Sequence, residues 1–99
     1  MTVGIGLVEL YLLEKPDNLK AKRSVINRLK SKLKQSFSIS LAEVDHQDVY
    51  HLCTLGFAMV TGELGEAQEI IQKILNYLNR ITEVEIVHQM VEFENYKLT

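Results

Sequence analysis

The chain has one cysteine, one proline and no long apolar run, and each shortage excludes something. Cys53 alone cannot form an internal disulfide, so nothing points to a secreted, oxidised fold. The apolar N-terminal stretch "MTVGIGLVELYLL" is interrupted by Glu9 and falls short of the ~20 residues a membrane helix needs. It also lacks a basic leader and a small-residue cleavage site, so a cytoplasmic protein with no membrane contact is expected. No linker, low-complexity segment or short repeat divides the 99 residues, which read as one domain. No HExxH, CxxC or EF-hand spacing is present. Gly4 and Gly6 form "GIG", without the further glycines and lysine of a phosphate loop, and close helix packing explains them more simply. Nothing here implies a cofactor or a small-molecule substrate, and a non-enzymatic role is expected.

What is there is a pattern of strands and helices. "VGIGLVELYLL" (3–13) is apolar on both alternating sets and reads as a central strand. "EKPDN" follows as a loop, where Pro16 stops the strand and Asp17 or Asn18 is a good helix N-cap. Leu19, Val25, Ile26, Leu29, Leu33 and Phe37 recur at helical spacing and predict a helix over 18–36. "SISLAEV" (38–44) alternates weakly and reads as an edge strand, with "DHQD" (45–48) as connector. "VYHLCTLGFAMVT" (49–61) predicts a second central strand. "ELGE" opens a second helix whose stripe is Ala67, Ile70, Ile71, Ile74, Leu75, Leu78 and Ile81. Glu63, Glu66 and Glu69 suit the positive end of that helix. A last strand spans 83–96, with a bulge near His88 to Met90 where alternation falters.

The order β-α-β-β-α-β predicts an α+β, ferredoxin-like sandwich: a four-stranded antiparallel sheet with both helices on one face. Strands one and three are central in that topology, matching their composition. Two helices cover one sheet face only, yet both central strands offer apolar residues to both faces. A homodimer covering the open face, or pairing the last strand at its edge, is therefore expected. The competing reading is that the tail "NYKLT" folds back over that face. Met59 and Met90 read as core.

Charge is unevenly placed. Residues 19–34 carry seven cations and no anion, whereas the rest carries four cations against thirteen anions, net −9. On a helical wheel Lys20, Arg23, Asn27, Lys30 and Lys34 lie on one flank beside the seam of Ile26, Leu29 and Leu33. Such a stripe can follow a phosphate backbone, and structured RNA or the ribosome is the expected partner. The plainer reading is a solvated lysine face, and a protein partner is the third. The helix holds no glutamate to pair its lysines, so their mutual repulsion is uncompensated from within. A pI near 5.9 speaks against bulk nucleic-acid binding. Tyr11, Tyr50 and Phe57 do not form the aromatic string of an RNA-recognition motif.

"LKAKRSVINRLKSKLKQSFSISLAEVDHQD", followed by "LG" at Leu55–Gly56, resembles the YlxP-like family of small bacterial proteins of unknown function. Asn18 stands where the family pattern has serine and is an equally good cap. The resemblance covers nearly the whole chain, and "AEVDHQD" carries most of its specificity. It implies the ferredoxin-like fold and a genomic neighbourhood of translation and ribosome-maturation genes. It implies no catalytic activity and no binding residues.

"AEVDHQD" also suggests chemistry. Asp45, His46, Asp48 and His51, joined by Glu9 or His88 from other strands, are ligand types that suit Zn²⁺, Mn²⁺ or Fe²⁺. A metal-dependent enzyme or metal sensor at this turn is the alternative function, and a protein-binding scaffold using the open sheet face is another. The simpler reading is that Asp45 caps the turn in an Asx-turn while His46 and Gln47 form its exposed tip. Cys53 lies within an apolar run and reads as a buried small hydrophobe.

Overall fold

A computed structural model describes Met1–Thr99. Its elements are β1 (Thr2–Leu12), α1 (Leu19–Ser36), β2 (Ser40–Asp45), β3 (Leu52–Thr61), α2 (Leu64–Arg80) and β4 (Val84–Asn95). The strands form one antiparallel sheet in the order β2-β3-β1-β4, so β1 and β3 are central and β2 and β4 are edges. This is the ferredoxin-like arrangement that the element order predicts.

Asn18 caps α1: its Oδ1 accepts from the Ala21 amide at 2.8 Å. The amide would otherwise lack a partner at the helix start. Ile26, Leu29 and Leu33 then point into the core, where they meet Ile71, Ile74, Leu75 and Leu78 of α2 and the inner rows of the sheet. Those inner rows are Val8, Leu10 and Leu12 of β1 and Cys53, Leu55, Phe57 and Met59 of β3. Alternate residues of the same strands face away from the helices, because successive side chains of a strand leave opposite sides.

That second face is open. It presents Val3, Ile5, Leu7 and Val60, and the tail does not cover it: Tyr96 and Leu98 stay exposed. Tyr96 instead prolongs the sheet, donating its amide to the Met1 carbonyl at 2.8 Å. Met90 belongs to this open face and is exposed, in contrast to its expected place in the core. The alternation of β4 puts it beside Leu7, away from the helices.

Two edge irregularities matter for the site. Leu10 pairs with Ile86 but Glu9 with His88, which leaves Val87 as an extra residue in β4. Glu43 pairs with Leu55 but Asp45 with Thr54, which leaves Val44 extra in β2. The first bulge falls one residue before the predicted region, and the second has no counterpart in the sequence pattern. The strand expected from residue 49 begins at Leu52, because Val49, Tyr50 and His51 are spent on the turn that returns the chain from β2.

Candidate functional site

Helix α1 sorts its cations by position. Lys22, four residues before Ile26, lies on the buried seam and is only 1% exposed. Its Nζ is 3.2 Å from Glu43 Oε2 and donates to the His46 carbonyl. Arg28, on the other flank, donates to Glu83 at 3.1 Å. Val25, Arg28, Leu29 and Lys32 line the crevice toward Tyr77 of α2 and Ile81, which caps it.

The stripe residues Lys20, Arg23, Asn27, Lys30 and Lys34 occupy the flank away from α2, and all but half-buried Lys30 are exposed. None of its four cations has a carboxylate within 4 Å; the ion pairs of the chain are Lys22–Glu43, Arg28–Glu83 and Lys73–Glu69. From Lys20 to Lys34 the stripe runs about 21 Å at 1.5 Å per residue. Lys20 occupies the first turn, which holds no acidic residue. A cation there is opposed by the helix dipole, whereas Lys34 at the last turn is favoured by it.

The hairpin turn is organised around its own backbone. The Asp45 Oδ1 accepts from the His46 amide at 2.7 Å, a bond to the next residue rather than the two-residue reach of an Asx-turn. His46 has φ 63°, left-handed backbone that is uncommon for a residue with a side chain. That conformation turns its ring onto the open sheet face, where Nδ1 lies 2.8 Å from Thr54 Oγ1. His46 is thus half-buried instead of forming an exposed tip. His51 stacks edge-on against Tyr11, with ring centroids 5.7 Å apart.

The candidate ligands therefore do not converge. No group of three or more His, Cys, Asp or Glu side chains is placed to hold a metal ion. Strand register still aligns His88, Glu9, Thr54 and Asp45 in one row across the open face. Together with His46 they line a shallow hollow of about 280 Å³.

Beneath the same turn, on the helix side of the sheet, lies a buried polar cluster that the charge pattern conceals. Lys22, Glu43 and Cys53 meet there. Burial and the neighbouring Glu43 carboxylate push the Cys53 thiol up to about 12, and Lys22 offsets part of that effect. The thiol is fully buried and protonated at neutral pH, so it packs as a small hydrophobe and is no nucleophile. The signal for Lys22 was present in the sequence: 22, 26, 29 and 33 share helical spacing, so a cation stands in an apolar seam and requires a partner.

No helix is long and apolar enough to cross a membrane. The aromatic side chains offer no stacking platform: Phe57 is buried beneath the helices and Tyr50 lies in the turn.

A family model described as "Protein of unknown function (DUF503)" matches residues 3–91. The chain is also similar to the uncharacterized protein YlxP of Bacillus subtilis (strain 168), 26% identical over 68 residues, which covers 69% of this chain and 74% of that protein. The family match runs from Val3 of β1 to Val91 of β4 and takes in the cation stripe, the buried Lys22–Glu43 pair and the turn that follows β2. The chain belongs to the DUF503 family of proteins of unknown function, of which YlxP is a similar relative.

Proposed function

We propose that the protein binds structured RNA, free or within the ribosome, through the outer flank of α1. The observation that carries this reading is the division of the helix cations. Lys22 and Arg28 are paired with carboxylates, whereas the four stripe cations Lys20, Arg23, Lys30 and Lys34 are not; Lys32, on the α2 flank, is unpaired as well. Thirteen anions elsewhere in the chain could have neutralised the stripe, and none lies within 4 Å of it. A helix selected for stability alone would place acid, not Lys20, in its first turn. The translation-gene neighbourhood implied by the YlxP-like resemblance is consistent with an RNA partner.

Recognition would rest on phosphate contacts and helix shape, since no exposed aromatic row is available to stack bases. Four phosphate contacts give a slope of roughly −3 to −4 in log K against log salt, or about 10²-fold weakening from 50 to 200 mM. The test is titration of a fluorescent RNA hairpin at several salt concentrations. Arg23→Glu combined with Lys30→Glu and Lys34→Glu is expected to abolish binding while leaving the fold intact. Absence of binding by the unsubstituted protein at low salt sinks this reading.

A further inference from the structure

The open sheet face has a large half and a small half. Ile5 and Leu7 of β1 and Met90 of β4 stand up from it, all exposed. Across from them, Gly56 and Ala58 of β3 and Ser40 and Ala42 of β2 floor a hollow of about 430 Å³, which Ile5, Leu7 and Met90 wall on one side and Val44 borders beside Gly56. Register places these in rows: Met90, Leu7, Gly56 and Ala42 lie side by side, as do Glu92, Ile5, Ala58 and Ser40.

We propose that a second copy of this chain covers this face, related by a two-fold axis running parallel to the strands between β1 and β3. Rotation about that axis keeps each row at its own level and exchanges left for right. The large half of each copy then meets the small half of the other: Leu7 over Gly56, Met90 over Ala42, Ile5 over Ala58. Every contact occurs twice, as a two-fold interface requires. The same operation sets His88 of each copy over Asp45 of the other, and Glu92 over Ser40. The competing two-fold, across the strands, sets Leu7 on Leu7, hollow on hollow, and Glu94 over Glu85.

Two further observations favour this occupant. Four strands about 4.8 Å apart and some 33 Å long present roughly 600 Å² per copy, close to what a specific dimer buries. Both sheet edges are interrupted by bulges, at Val44 and Val87, which discourage edge-to-edge pairing. The inference is independent of RNA binding, because the cation stripe lies on the helix side and stays exposed in the dimer.

The test joins mass measurement to a cross-link. Sedimentation equilibrium at tens of micromolar is expected to give twice the 11.4 kDa chain mass. Within one copy Ala42 and Met90 are three strand spacings apart, about 14 Å, beyond disulfide reach. Because facing sheets pack about 10 Å apart, Ala42→Cys with Met90→Cys is expected to yield a covalent dimer with a short bismaleimide, whereas Met90→Cys alone is not. Met90→Asp with Ala58→Asp, shown folded by circular dichroism, is expected to weaken association at least about 100-fold. A monomer at all concentrations overturns the proposal. Cross-linking through Met90→Cys alone, or a dimer undisturbed by the aspartates, also overturns it.

Discussion

Lys22 of α1 and Glu43 of β2 form the one ion pair whose lysine is buried: Nζ and Oε2 are 3.2 Å apart and the lysine is almost wholly inaccessible. The pair joins helix to edge strand. Lys22 also donates to the His46 carbonyl, so one side chain ties α1, β2 and the turn. Glu43 Oε2 has no well-aligned hydrogen-bond donor despite the short separation, so its stability depends on the lysine charge.

Removing only the lysine strands a carboxylate. Lys22→Met is expected to cost about 2 to 3 kcal/mol, below the full range for a buried pair because the Glu43 side chain keeps 19% exposure. Lys22→Met with Glu43→Leu is expected to recover most of that loss. Urea unfolding of both single variants and the double variant gives the coupling, and a purely additive result rules the pairing out as a source of stability.

The turn yields a test of backbone against side chain. At φ 63°, His46 occupies a region where glycine is unstrained and β-branched residues are not. His46→Gly loses the ring bond to Thr54 but relieves the backbone, so stability is expected to change by less than about 1 kcal/mol. His46→Val loses the bond and adds strain, costing about 2 kcal/mol. Equal losses would show that the backbone conformation is unimportant. Because no ligand set converges here, Zn²⁺ or Mn²⁺ is expected to leave the melting temperature of the unsubstituted protein unchanged.

These residues also mark how far the sequence could be read. The central strands were legible because a strand buried among neighbours is apolar on both alternating sets, as β1 and β3 are. The cation stripe was legible because helical spacing alone places Lys20, Arg23, Lys30 and Lys34 on one flank. Lys22 was masked by its company: within a run of seven cations, only its helical spacing to Ile26, Leu29 and Leu33 marks it as facing inward. Only the chain's return through β2 brings Glu43 to it, and that depends on tertiary placement. Val49, Tyr50 and His51 have the composition of a strand, yet the turn consumes them. The left-handed His46 and the bulge at Val44 left no local signal in residue type.

Gly4 and Gly6 separate two kinds of close approach. A Cβ on Gly6 would run into the Phe57 ring, which is buried and cannot move aside. A Cβ on Gly4 would lie 2.7 Å from Met59 Sδ, in a flexible side chain, and 3.2 Å from Ile71 of α2. A sheet neighbour thus makes the closest approach at both glycines, Met59 at Gly4 and Phe57 at Gly6, and helix packing through Ile71 adds to it only at Gly4. Gly6→Ala is expected to cost about 2 to 3 kcal/mol and Gly4→Ala clearly less. Phe57→Leu in the Gly6→Ala background is expected to restore part of the loss, as read by thermal melting.

Cys53 supplies a prediction with a defined pH window. Burial, with the Glu43 charge beside it, raises the thiol from 9.0 to about 12 in the folded chain. Below pH 9 the thiol is protonated in both folded and unfolded states, and its titration has no effect on stability. Between about 9 and 12 the unfolded chain releases the proton and the folded chain keeps it, so rising pH favours unfolding. The contribution is isolated by comparison with Cys53→Ala. That variant is expected to be less stable at neutral pH, because it leaves a small cavity in the core. Its stability is expected to fall less steeply above pH 9, so the two curves converge. At pH 8 the native thiol is expected to resist a disulfide reagent and to react fully once urea unfolds the chain. Rapid reaction of the native protein, or parallel stability curves from pH 9 to 11, would show that Cys53 is neither buried nor shifted.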